Sequence, residues 1–261
     1  MTARREKQSK DLKLFLDNKV KLYNNLSFIE NDPVSIPHLF SSEENIAISG
    51  FLTAIISWGQ RPQIIRSAKQ LMEKMENDPH DFILNSGKKE LSRFNHFYYR
   101  TFNSVDCKYF IERLKLIYSS GKTLRQLFEG QYSKSGNIQN TISYFRKDFF
   151  AMEEPGRSGK HLSDPLKGSS SKRINMFLRW MVRQDNAGVD FGLWTGIPAS
   201  ALHIPLDIHS GNVARKLGLL TRTANDWKAV EELTDRLRTF DPNDPVKYDF
   251  ALFGVGINEK I

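Results

Sequence analysis

Two side chains in this sequence have the type and setting for active-site chemistry, Asp207 and Lys172. Asp207 is the only acid in IPLDIHSGNVARKLGL, residues 204–219, where it follows a proline-led apolar loop and opens a helix carrying Arg215 and Lys216. An aspartate before a helix accepts a backbone N–H, here that of Ser210, and is favoured by the helix dipole. Facing a cleft, the same carboxylate stabilises a developing cation. Lys172 lies in GSSSKRINMFLRWMVR, residues 168–183, in the first turn of a helix opened by three serines. Backbone N–H groups at such a start, with serine hydroxyls and the charges of Arg173, Arg179 and Arg183, form a site for a phosphate. The plainer reading has the serines capping the helix and the lysine solvated. GSSSK lacks the second glycine of a nucleotide-binding P-loop. On local pattern alone, capping accounts for both positions.

The elements that must position these residues are helical. SSEE, with Ser41 and Glu44 as a capping box, precedes Ile48, Phe51, Leu52, Ile55 and Ile56 at helical spacing, with a stop near Gly59. A second helix starts at Pro62 and buries Ile65, Ala68, Met72 and Met75. Further stripes are Phe110, Leu114 and Ile117; Ile138, Ile142, Phe145 and Phe149; Ile174, Phe177, Leu178 and Met181; Trp227, Val230 and Leu237; and, after Pro245, Val246 and Phe250. No segment is framed as a hairpin, so the expected fold class is all-α. Two stretches break the pattern. Residues 153–172, rich in Gly, Ser, Pro and basic side chains, read as a surface loop suited to a polyanion, and residues 185–205 read as a second irregular stretch.

The chain has 261 residues and a formal net charge of +8, with a sequence pI near 9.4. That balance favours polyanionic partners, and nucleic acid is the most abundant of them. No apolar run approaches the roughly 20 residues of a membrane span, and MTARREKQSK leads into no signal-peptide core. The expected location is cytoplasmic, in association with the nucleoid. A single cysteine, Cys107, excludes an internal disulfide and a four-cysteine zinc or iron–sulfur site. The six histidines have no zinc-motif spacing. Neither a metal nor a cofactor is expected.

The residues around Lys172 and Asp207 resemble the helix-hairpin-helix DNA glycosylase superfamily, which includes endonuclease III and the 8-oxoguanine glycosylases. PLDIHSGNVARKLGL looks like the segment in which Val-Asp-Thr-His-Val leads to an Arg-Leu-Gly helix end, and LKGSSSKRI is similar to the hairpin Leu-Pro-Gly-Val-Gly-Arg-Lys-Thr-Ala. FLTAIISWGQRPQIIRSAKQLME resembles the early helix ending in Leu-Ser-Ala-Gln, and WKAVEELTDRLRTF with DPVKYDFALFGVGI resembles the helix pair after the catalytic aspartate. The resemblance runs from about residue 43 onward. KRINMFLRWMVR and DPVKYDFAL are also similar to an uncharacterised bacterial family of this length related to these enzymes. In this sequence Lys167 stands in place of the hairpin proline, Ser170 of the second glycine, and Arg173 and Ile174 of Thr-Ala. Lys172 and Asp207 are 35 residues apart, about twice the usual separation, with residues 185–205 as the insertion. Gly254-Val255-Gly256 is read as a helix terminus.

The resemblance implies one all-α unit over residues 1–261, two helical lobes flanking a cleft, with N- and C-terminal segments sharing a lobe. It places the catalytic lysine at Lys172, the catalytic aspartate at Asp207, and DNA contacts at Gly168, Ser169, Ser170, Ser171, Arg173 and Gln60. Trp58, Trp180 and Trp194 are the base-pocket candidates, and each is also a residue type that cores bury. The implied partner is double-stranded DNA with a damaged base, without a membrane or an obligate protein partner. Two chemistries follow: Lys172 attacks the anomeric carbon and forms a Schiff base with strand nicking, or Asp207 activates a water and the base leaves without nicking. Two rival readings remain, a DNA-binding protein of this fold without catalysis and a helical scaffold without a nucleic-acid role.

Overall fold

The computed structural model describes residues 2–151 and 154–259. They form helices α1 (Thr2–Tyr23), α2 (Ser27–Glu30), α3 (Glu43–Ile56), α4 (Arg61–Lys74), α5 (Pro79–Asn85), α6 (Lys88–Leu91), α7 (Ser104–Ser119), α8 (Leu124–Ser135), α9 (Ile138–Phe149), α10 (Lys172–Val182), α11 (Ile208–Lys216), α12 (Trp227–Arg238) and α13 (Tyr248–Asn258). The fold is predominantly α-helical. A two-stranded hairpin, β1 (Tyr98–Tyr99) and β2 (Phe102–Asn103), interrupts it, with Tyr98 opposite Asn103 and Tyr99 opposite Phe102. This corrects the expectation of no hairpin: the strands are two residues long, too short for alternation to register, and Arg100 turns the chain at φ +54°. The chain divides into two units, one of residues 29–166 and one that joins residues up to 28 with those from 167 onward.

The 29–166 unit is built on α3, in which every residue from Ile46 to Ile56 is buried. Its N-cap is Ser42, one residue later than expected, whose side chain accepts the Asn45 N–H at 3.3 Å. Phe51 sits among Phe110, Phe145 and Phe149, with ring centroids 5.5–6.2 Å apart. Helix α4 buries Ile64, Ala68, Leu71 and Met72. Ile64 therefore replaces Ile65 as the start of the buried stripe, because it is the residue one turn before Ala68. The expected loop at 153–172 begins at residue 153, which lies outside the described residues. From Gly156 it is no loose loop: Ser158 Oγ donates to Asp106 Oδ1 at 2.8 Å, and His161 Nε2 lies 3.3 Å from Asp106 Oδ2.

The other unit packs α13 between α1 and α11. Two glycines make that approach possible, and this corrects the reading of Gly254-Val255-Gly256 as a helix terminus: both glycines lie inside α13. A Cβ on Gly254 would overlap the Tyr23 ring, and one on Gly256 would come within 3.2 Å of His209. Tyr23 is not free to swing aside, since its hydroxyl donates to Glu259 at 2.5 Å. Gly254→Ala should therefore lower stability by about 1–3 kcal/mol through overpacking. Urea unfolding checks this, and a midpoint equal to that of the parent chain would show that α1 gives way freely.

The 185–205 stretch is irregular but belongs to the core of this unit. Phe191 and Trp194 donate their backbone N–H groups to the carbonyls of Trp180 and Met181, at 2.8 and 2.9 Å. The stretch also inserts Asp190 beneath α10, where its carboxylate receives Arg179 Nε at 3.2 Å and Arg183 Nη1 at 3.0 Å.

Candidate active site

Lys172 is the first residue of α10, and Asp207 is the N-cap of α11. Lys172 Nζ lies 3.5 Å from Asp207 Oδ2. The two carboxylate oxygens of Asp207 divide their work. Oδ1 accepts the backbone N–H of Ser210 at 2.9 Å and its hydroxyl at 3.2 Å, while Oδ2 faces the lysine. Capping and pairing therefore hold together. Asn225 braces the segment by donating to the Asp207 carbonyl at 3.2 Å, and it receives Arg215 Nη2 at 2.6 Å. Gly211 is what lets it in, because a Cβ there would come within 2.9 Å of Asn225 Oδ1.

The turn before Lys172 is shaped by two left-handed residues, Gly168 at φ +86° and Ser171 at φ +45°. Ser171 is buried and makes no side-chain cap. The Ser169 hydroxyl accepts the Ser171 N–H at 3.1 Å, a turn bond within the segment that leads into the helix. Asn175 Nδ2 donates to the Ser170 carbonyl at 3.0 Å, and Trp227 N–H donates to the Gly168 carbonyl at 3.1 Å. The turn is thereby pinned to the start of α12. Ser169 and Ser170 keep partial exposure. Arg173 is also partly exposed, and desolvation of its guanidinium pushes it down to about 10, which leaves it cationic at neutral pH.

Behind this pair lies a charge cluster that sequence reasoning missed. Arg179, two turns along α10 from Lys172, donates through Nη1 to Asp249 Oδ2 of α13. Arg183 is shared by Asp190, Asp244 and Asp185 at 3.0, 2.9 and 2.6 Å. Burial works against its charge, and those three carboxylates outweigh burial and hold the guanidinium above its ordinary range. Asp249 is 7 % exposed. Burial pushes its carboxyl up to about 7; the Arg179 cation opposes this, the Asp207 anion adds to it, and Lys172 opposes it. The folded chain thus holds a proton that the unfolded chain releases above the usual carboxylate range of about 4. The stability this contributes is fully present below that range and lost as pH rises through about 7. Urea unfolding of Asp249→Asn and parent chain from pH 5 to 8 should show that slope vanish in the variant, and an unchanged slope would assign it elsewhere.

The other expected residues separate. Trp180 and Trp194 are wholly buried, and Phe177 packs edge-on against Trp194 at 5.3 Å. Neither tryptophan offers a surface to a base, which corrects their assignment to a base pocket: α10 turns that face inward, and the 185–205 stretch covers it. Trp58 and Gln60 belong to the 29–166 unit. Trp58 is half-buried, stacked on His161 at 5.6 Å, and its carbonyl accepts the Tyr99 hydroxyl at 2.6 Å. Gln60 is exposed at the N-cap of α4 and makes no side-chain cap. In the same unit Gln63, Arg66, Gln70, Lys74, Tyr98 and Arg100 line a polar groove of about 710 Å³. Tyr98 is 76 % exposed there. Among the described residues, no group of three His, Cys, Asp or Glu side chains is placed to hold a metal, and no helix is long and apolar enough to cross a membrane. Cys107 is buried, and burial raises its thiol far above the ordinary range, so it is packed rather than nucleophilic.

A family described as "Protein of unknown function (DUF2400)" matches residues 32–258. The chain belongs to DUF2400. The match contains both Lys172 and Asp207, the braces Asn175, Gly211 and Asn225, and Asp249. It therefore spans the whole candidate site of this DUF2400 chain. No curated protein and no solved structure matches it significantly.

Proposed function

We propose that this DUF2400 chain is a DNA glycosylase of base-excision repair that also cleaves abasic sites, with Lys172 as nucleophile and Asp207 as the stabilising carboxylate. The observation that carries the reading is the 3.5 Å approach of Lys172 Nζ to Asp207 Oδ2, from two helix starts far apart in sequence. The amine attacks the anomeric carbon of the flipped nucleotide, and the carboxylate faces the cationic sugar that forms as the base leaves. A charge placed beforehand costs no reorganisation when the cation appears, and the helix-start hydrogen bonds to Oδ1 hold it in place. The turn Gly168–Ser171 with Arg173 supplies amides, hydroxyls and a cation suited to a backbone phosphate. Exposed Gln60 and the Arg66, Lys74 and Arg100 groove are further contacts of the same chemical kind, and the net charge of +8 favours them all.

Single-turnover reaction with a panel of lesion-bearing and abasic duplexes tests the proposal. Release of a damaged base, or nicking at an abasic site, is expected for at least one member. Tight binding across the panel with neither reaction would favour a non-catalytic DNA-binding protein and sink the enzymatic reading.

A further inference from the structure

The polar groove beside α4 lies wholly within the 29–166 unit, and two elements shape it. One wall is a single face of α4, on which Gln63, Ser67, Gln70 and Lys74 follow one another at four, three and four residues, with Arg66 beside them. At 1.5 Å per residue that face is about 16 Å long. The other wall is the segment 96–100, which runs into the β-hairpin. Successive strand residues face opposite ways, so Tyr99 turns inward and is buried while Tyr98 turns out to solvent.

The hairpin that carries Tyr98 is anchored on both sides. Tyr99 donates its hydroxyl to the Trp58 carbonyl at 2.6 Å, and Arg157 Nη2 donates to the Thr101 carbonyl at 3.1 Å. Arg157 in turn lies 3.4 Å from the buried Asp106 carboxylate. A ring on so fixed a support has little freedom left to lose when a ligand stacks on it. Arg100 holds a left-handed backbone, φ +54°, which asparagine or glycine adopts at less cost. Its guanidinium lies across Gly59, where a Cβ would overlap Nη1. Backbone strain of this kind accompanies functional side chains. The groove has three cations, Arg66, Lys74 and Arg100, against one acid, Glu73. Lys74 is fixed by donating to the Arg93 carbonyl at 3.0 Å, and the neighbouring Glu76 is paired with Arg93 at 2.6 Å.

We propose that this groove binds single-stranded nucleic acid, with an unpaired base stacked on Tyr98, phosphates on Arg66, Lys74 and Arg100, and the amides of Gln63 and Gln70 facing base edges. A cationic groove that follows the backbone beside an exposed aromatic ring holds a strand without regard to sequence. A duplex leaves the ring unused, because its bases are already stacked on one another. The volume of about 710 Å³ is that of a cleft that encloses a small ligand, and it admits a short stretch of one strand rather than a double helix. This site goes beyond the glycosylase reading: it performs no reaction, and neither Lys172 nor Asp207 is among its residues.

Fluorescence anisotropy on the full chain tests it, with labelled oligothymidylate displaced by unlabelled oligothymidylate, by its duplex with oligoadenylate, or by inorganic polyphosphate. The single strand is expected to compete best. Tyr98→Ala should weaken its binding about 10- to 100-fold, and Tyr98→Phe should not. Arg66→Gln and Arg100→Asn should each reduce the steepness of the salt dependence by ~0.7 in log K against log salt, the share of one phosphate contact on a single strand. Equal competition by all three, preference for the duplex, or Tyr98→Ala binding as the parent does overturns the proposal. Tyr98 is a surface residue, so its truncation spares the core, and circular dichroism verifies this. No lesion, abasic site or reaction enters the measurement. A negative result therefore leaves the glycosylase reading standing, and a chain that cleaves nothing still gives a decision on the groove.

Discussion

Lys172→Ala is expected to abolish the borohydride-trapped complex with abasic-site DNA, whereas Asp207→Asn keeps DNA binding and loses about 10²–10³-fold in single-turnover rate. The two losses differ because the two side chains act differently. The covalent bond to the sugar is made by the Lys172 nitrogen, and no other amine lies at the Asp207 helix start among the described residues in the ion-paired position. Removing it removes the adduct itself. Asparagine at 207 still caps α11, since an amide oxygen can accept from Ser210 as Oδ1 does, so the fold survives while the charge facing the sugar is gone. Gel-resolved trapping and circular dichroism read the two effects separately. Persistent trapping in Lys172→Ala would transfer the nucleophile to another amine, and an undiminished rate in Asp207→Asn would leave the carboxylate with capping alone.

The second large effect is on stability. Arg183→Met deletes a guanidinium that three carboxylates share, and it leaves Asp190, whose side chain is wholly buried, with Arg179 as its remaining cation. Breaking a buried charge network by removing one member costs about 3–5 kcal/mol, because the partners keep their burial and lose their compensation. Trp180, Trp194 and Trp227 all lie in the unit that contains this network, so tryptophan fluorescence during urea unfolding reports mainly on it. A loss under about 1 kcal/mol would place the network among ion pairs that merely balance their own desolvation.

Much of the helical pattern is legible in residue spacing. Ile174, Phe177, Leu178 and Met181 recur as one helix face demands, and all four are buried. Helix α1 is hidden for the opposite reason: TARREKQSKDLKLFLDNKVKLY carries charge nearly all round, and its place comes from packing on α13. The hairpin in YYRTFN is invisible because two residues per strand give no period to read.

The site divides in the same way. Asp207 is recognisable as a cap from Asp-x-x-Ser alone, but its approach to Lys172 crosses 35 residues, and only the likeness to a known motif points to it. Asp249 sits in DPVKYDFAL as an ordinary early-helix acid, a position that usually faces water. Nothing local marks it as buried; Arg179 and the packing of α13 decide that. Asp190 and Trp194 lie in a Gly- and Asp-containing stretch without period, so their place in a core depends on hydrogen bonds to the end of α10.

The pairing of the Tyr23 hydroxyl with Glu259, 236 residues later, has a consequence for synthesis. Helix α1 leaves the ribosome long before α13 and finds its permanent neighbour only when α13 has emerged. The 29–166 unit is continuous in sequence, so it can fold while the rest is still being made. Lys172 and Asp207 are translated before α13, against which both α1 and α11 pack, so a nascent chain carries both candidate groups before that helix has arrived. A ribosome-bound chain is therefore expected to stay inert toward DNA until translation has passed the end of α13 at Asn258.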